Sequence, residues 1–211
     1  MSWLALSLIL LILSSFEVAR QRAYLRRRFA GLLPPAGCWR AHRRLFYGNR
    51  SGESECYVLR GLHRGRDVRV ELDDYSIKTR VTFFLKEPSP LRLQLRLEPR
   101  GWEEFDLIDL WTRPRRLRTT PFAGLAAYGK PQDGAERLAA RWIGDGFDRR
   151  MNAVHERLEL SLSSVLVSGK TMTFNFKGVL ETALFEGESL KGRIDGLLEE
   201  CATFCPLSED P

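Results

Sequence analysis

Four cysteines and three histidines are the residues that metal or nucleophilic chemistry would need first. Cys201 and Cys205 are four apart, as are Cys38 and His42, so on a helix each pair would share a face. Thiolates and imidazoles are zinc ligands, and four of them close a structural site. The usual knuckle has two intervening residues rather than three, however, and nothing in the sequence brings the two ends together. Cys201 also continues an apolar stripe, where a thiol packs as a small hydrophobe. The expectation is therefore reduced, packed cysteines, with no metal and no cofactor; a disulfide becomes relevant only if the domain is exported.

Other candidate chemistry is sparse. His63 falls in an expected hairpin turn, His155 between a helix and a strand, and His42 near the N-terminal apolar run. No Gly-x-Ser-x-Gly elbow accompanies the serines. Gly48–Gly52 and Gly61–Gly65 lie between expected strands, which fails both the dinucleotide fingerprint and the phosphate-loop pattern. The acidic group Glu103, Glu104, Asp106 and Asp109 could flank a cation or a sugar bond, but solvated surface charge accounts for it as well. No catalytic residue is assigned, and a hydrolase with an unrecognised site stays open as an alternative.

Charge is more informative. Residues 1–60 hold 10 Lys/Arg against 3 Asp/Glu, whereas the remainder holds 23 against 24. Arg20, Arg22, Arg26, Arg27, Arg28, Arg40, Arg43 and Arg44 occur with no acid among them. A second group, Arg113, Arg115, Arg116 and Arg118, precedes Pro121. An excess confined to such patches does not make a broad phosphate-binding face, so nucleic acid is not the expected partner.

Just before the first patch, Trp3–Phe16 is apolar apart from serines: Trp3, Leu4, Leu6, Leu8, Ile9, Leu10, Leu11, Ile12, Leu13 and Phe16. As a helix it would rise about 21 Å, against roughly 20 residues for a full hydrocarbon core. It reads as an uncleaved single-pass membrane helix. The following arginines set its direction by the positive-inside rule, N-terminus out and the remainder cytoplasmic at a bacterial inner membrane. Arg20, Arg22, Arg26, Arg27, Arg28, Arg43, Arg44, Arg113, Arg115, Arg116 and Arg118 are the candidate headgroup contacts. Export after signal-peptide cleavage is the alternative, although no basic residue precedes the apolar run and Phe16–Arg20 is a poor cleavage site.

These residues need elements to position them. A helix is expected to continue through Ala19–Arg28 until Pro34-Pro35. Strands are expected at Leu45–Tyr47, Glu55–Arg60, Arg66–Leu72 and Thr79–Leu85. Another is expected where Leu91, Leu93, Leu95 and Leu97 alternate with polar residues. Residues 99–133 resist reading. A helix from Gly134 to Met151, weakened at Gly144 and Gly146, should lead to alternating Leu158–Val167. Ser168-Gly169-Lys170 then makes a turn, Thr171–Phe176 pairs back, and a helix closes the chain from Leu190 to Cys205.

The fold class is thus α+β: an N-terminal transmembrane helix, then antiparallel sheet packed against two amphipathic helices. Residues 1–30 form the membrane helix and basic juxtamembrane segment, 31–42 a connector, and 43–211 the soluble domain, divisible into sheet–helix halves 43–153 and 154–205. RRLFYGNRSGESECYVLRGLHRGRDVRVEL at 43–72, RVTFFL after it, and the helix–LELSLSSVLVSG–hairpin–helix sequence resemble uncharacterised bacterial membrane-anchored proteins. That resemblance implies no activity and no ligand. The expected role is a non-enzymatic binding or scaffolding module at the cytoplasmic face of the membrane. Its partners would be the bilayer and another membrane or cytoplasmic protein; the alternative is anionic-lipid binding through Arg20–Arg44 and Arg113–Arg118.

Overall fold

The computed structural model describes residues 3–29, 31–33, 39–47, 53–73, 76–97, 115–180 and 190–205. Helix α1, Trp3–Arg28, is followed by strands β1, Arg40–Tyr47; β2, Glu53–His63; β3, Arg66–Asp73; and β4, Lys78–Arg96. Short β5, Arg115–Arg116, and β6, Ala126–Lys130, precede α2, Gln132–Gly144, and α3, Phe147–Leu158. Strand β7, Ser161–Lys177, and α4, Leu190–Ala202, complete the order. The fold is α+β, with four helices and one antiparallel sheet among the described residues.

The sheet path runs β1-β2-β3-β4-β6-β5, and β7 pairs with β4. That last pairing has two parts. Lys78–Phe84 of β4 pairs with Lys177–Thr171, and Leu93–Arg96 pairs with Val167–Ser164, with register shifts between. Asn175 Nδ2 donates to Ser164 Oγ at 2.9 Å, and Ser163 Oγ donates to the Asn175 carbonyl at 2.9 Å. The two halves of β7 therefore lie side by side, folded about Gly169, whose φ of +53° suits a tight hairpin turn. Strand β4 passes around the tip of that hairpin, Ser89 opposite Gly169, and flanks it on both sides. The expected turn at Ser168–Lys170 is the turn found. The β2–β3 turn is tighter than expected, carried by Arg64 and Gly65 at φ +50° and +73°.

One face of this sheet makes the core. Leu59, Val70, Val81, Phe174, Val165 and Leu95 are buried together with Phe29, Trp142, Met151, Val154, Ile194 and Leu197 from the helices. Their chain neighbours Val58, Glu71, Arg80, Asn175, Ser164 and Arg96 point to the opposite face, because successive side chains alternate along a strand. Helices α2 and α3 are separate where one weakened helix was expected. Gly146 takes φ +73° and its N–H donates to the Ile143 carbonyl, which turns the chain so that Phe147 stacks on Trp142 at 5.1 Å.

The transmembrane reading is overturned: among the described residues no helix is long and apolar enough to cross a membrane. The apolar run Trp3–Phe16 is shorter than a hydrocarbon core requires. It cannot be lengthened toward the C-terminus, because Glu17 and Arg20 follow as an ion pair at 2.9 Å and Leu25 and Phe29 are already committed to the core. The single-pass, signal-anchor and N-out/C-in inner-membrane assignments fall with the span. So does the role of a membrane-anchored scaffold.

Several expectations fall outside the described residues: Cys38, Pro34-Pro35, the Gly48–Gly52 turn, Arg113 and the Glu103–Asp109 cluster. The side chains of Leu4, Leu6, Leu8, Ile9, Arg43 and Arg44 do so too, although their backbones belong to α1 and β1.

Trp39, just before β1, donates its N–H to the Leu32 carbonyl at 3.1 Å and lays its indole on Gly61. A Cβ at Gly61 would run into that ring. Gly61→Ala should therefore lose about 1–3 kcal/mol of stability, as overpacked cores do. Denaturant unfolding monitored by tryptophan fluorescence checks this; an unchanged midpoint would mean that Trp39 does not bear on β2.

Candidate functional site

Helix α1 has two different halves. Its C-terminal half is held by Tyr57 of β2, which is fully buried. The Phe29 ring meets Tyr57 edge-on at 5.3 Å, the Arg28 guanidinium lies over it at 4.6 Å, and the Tyr24 and Tyr57 hydroxyls are 3.0 Å apart. Among the described residues its N-terminal half has no such cover. Trp3 is 85% exposed, Leu11 65% and Phe16 70%, with Leu10, Ile12 and Leu13 more than half exposed. These positions go all the way round the helix, so this is an apolar cylinder rather than an amphipathic stripe.

Where the two halves meet, Ser14, Val18, Arg22 and Arg26 recur every fourth residue, with Ser15, Ala19, Ala23 and Arg27 beside them. Together they form one continuous exposed flank of the helix. Small and hydroxyl side chains occupy its apolar end, and three arginines its other end. Arg20 is bidentate to Glu17 and Arg28 is stacked on Tyr57. Arg22, Arg26 and Arg27 have no acidic partner among the described residues. An exposed apolar surface thus passes directly into uncompensated positive charge.

The second arginine group is far from this one. Arg115 and Arg116 are exposed on β5 and Arg118 follows it, at the end of the sheet path opposite β1. The structure does not bring Arg20–Arg44 and Arg115–Arg118 into one patch.

The remaining candidates are scattered. His63 Nε2 lies 3.5 Å from Glu199 Oε2 on α4, and Arg64 pairs with the same carboxylate. His155 Nδ1 is 3.1 Å from Ser161 Oγ in an exposed position, with no carboxylate orienting its other nitrogen among the described residues. His42 is exposed on edge strand β1. Among the described residues no group of three or more His, Cys, Asp or Glu is placed to hold a metal ion.

Cys56, Cys201 and Cys205 are buried. Burial pushes the Cys201 thiol well above its ordinary range, and neighbouring Cys205 and Glu200 push it further. Burial raises Cys205 to about 12, although the Arg66 guanidinium opposes this through its charge and a hydrogen bond. Sequence reasoning missed Tyr57 as the residue that holds α1. Its place in the expected strand Glu55–Arg60 was the only available signal.

Comparison with known proteins adds little. Neither a protein-family model nor a curated protein matches the chain. A solved structure is similar: the crystal structure of the mycobacterial trehalose monomycolate transport factor A, TtfA. It has 15% identity and a TM-score of 0.42, covering 77% of this chain and 84% of that one. The resemblance to uncharacterised membrane-anchored proteins is overturned, since no family model matches the chain and no described helix is long and apolar enough to be an anchor. So loose a superposition carries no argument about what this chain does.

Because both thiols are neutral in the fold and titrate above their unfolded values, they stabilise it fully at neutral pH. That contribution fades as pH rises from about 9 toward 12. A Cys205→Ala variant should lose less stability than the parent over an alkaline series of thermal melts. Parallel pH profiles would show that Cys205 does not contribute.

Proposed function

We propose that this protein is a binding module that engages an anionic lipid surface peripherally, through α1. The observation that carries this reading is the exposed apolar half of α1 joined to Arg22, Arg26 and Arg27. Water is a poor environment for Trp3, Leu10–Leu13 and Phe16, each worth about 1.5–3 kcal/mol when a comparable side chain is fully buried. Acyl chains are a good environment for them. Headgroup phosphates then meet the arginine collar, worth about 1 kcal/mol per residue near an anionic surface. Contact with one leaflet is enough for this, because the chemistry asks only for an apolar layer bounded by negative charge. The folded domain stays outside the lipid, since Phe29 and Tyr57 hold the other half of α1 against the sheet.

The test is co-sedimentation of the full chain with phosphatidylcholine vesicles, with and without phosphatidylglycerol. The parent should prefer the anionic vesicles. Replacing Arg22, Arg26 and Arg27 together by Gln should weaken that binding by about 100-fold, the loss of three such contacts, while leaving the weaker binding to neutral vesicles unchanged. Equal affinity of the parent for both vesicles, or for neither, would sink the reading.

A further inference from the structure

The face of the sheet turned away from the core carries a pattern visible only once the strands are in register. Along one cross-strand row, Arg40 pairs with Arg60 and Arg60 with Arg69. The row continues through Thr82, Thr173, Leu166 and Gln94 to Tyr128 and Arg116. In the next row Glu71 pairs with Arg80, Arg80 with Asn175, and Arg96 with Ser164. Arg92 lies two residues from Gln94 on the same face. Seven arginines thus occupy these positions with a single acid, Glu71, while Asp67 and Asp73 sit off the two rows toward the ends of β3.

Glu71 is shared by Arg69 and Arg80. Arg60 and Arg92 have no acidic partner among the described residues. The Nε atoms of Arg69, Arg92 and Arg96 are buried against the sheet and make no hydrogen bond. Like charges directly opposite one another in a row destabilise a sheet, and buried donors left unmade cost more than a made hydrogen bond returns. Helices α1–α4 pack on the opposite face, although Cys56 and Val58 at the β1 end of this one are buried. Among the described residues Glu71 is the one acid that offsets the rows' charge, and the three Nε donors stay unmade.

The chemistry of the missing acceptor is constrained. It must be anionic and slender enough to reach donors that lie at the level of the sheet, which a bilayer surface is not. Nucleic acid would look for aromatic faces to stack on. The Tyr128 ring is already taken by the Arg96 guanidinium at 4.8 Å, Phe84 offers one exposed ring rather than a succession of stacking faces, and the groups between the arginines bond to one another, Thr82 to Thr173 and Asn175 to Ser164. Carboxylates of an extended chain match the fork geometry of guanidinium groups. We propose that this outer face of the sheet, on which none of the described helices packs, docks an extended acidic segment of a partner protein, its carboxylates received by Arg60, Arg69, Arg92 and Arg96. This is independent of the lipid reading, which uses α1 alone.

Fluorescence anisotropy of a labelled decaglutamate peptide against the full-length protein tests it. Binding should saturate, weaken as salt is raised, and fall by about tenfold in the double variant Arg60→Gln, Arg92→Gln. Arg149→Gln, on α3, should leave it unchanged. The melting temperature of the double variant should stay level or rise, because like charges have been removed. Undiminished binding in the double variant would overturn the proposal. So would displacement of the peptide by a uridine decamer at lower concentration than by unlabelled decaglutamate, which would make nucleic acid the occupant. Loss of vesicle binding in the same variant would make it the bilayer.

Discussion

The structure depends on a one-sided constraint: the described helices that join the core all cover the same face of the one described sheet. A sheet buried on one side must alternate, apolar inward and polar outward, on every strand. That requirement places Leu59, Val70, Val81, Phe174, Val165 and Leu95 in the core. It leaves the intervening positions to whatever the solvent side demands. In this chain they are filled largely with arginine, hydroxyl and amide side chains rather than a balanced mixture of charges. The character of the outer face therefore follows from how the inner face is built.

The same constraint governs α1. Its second half is the part of the N-terminal segment that reaches the core face, and it does so through Tyr57. A fully buried phenol whose ring and hydroxyl both meet one helix fixes that helix in two respects, how deeply it seats and how it is rotated. What lies before Glu17 is then carried beyond the domain by helix continuity alone. The apolar residues there are exposed because the sheet offers them no further surface, not because the helix is malformed.

Much of the architecture was readable from alternation. Arg66–Leu72 and the leucines at 91, 93, 95 and 97 announced strands, and Ser168–Lys170 announced its hairpin, since local pattern and local structure agree there. The apolar run misled, because composition alone does not say whether a hydrophobic helix is long enough to span. The outer arginines were individually visible and collectively hidden. Arg60, Arg69 and Arg92 are each an ordinary polar partner on its own strand, and only pairing across positions far apart in sequence makes them neighbours. Tyr57 was hidden for the same reason, since nothing near it in sequence refers to α1.

The β7 hairpin, seated between the two halves of β4, sets the order in which this protein can be completed. Strand β4 is made by residue 96 and its central partner only by residue 177. At ordinary elongation rates the ribosome takes on the order of ten seconds to cover that interval. Until then the nascent chain can assemble the β1–β3 meander on one half of β4 and β5–β6 on the other, as two incomplete sheets with open edges. Arrival of the hairpin closes both edges in one event. Assembly of the domain is therefore governed by its last third, and long-range pairing of this kind is the slow class of folding step.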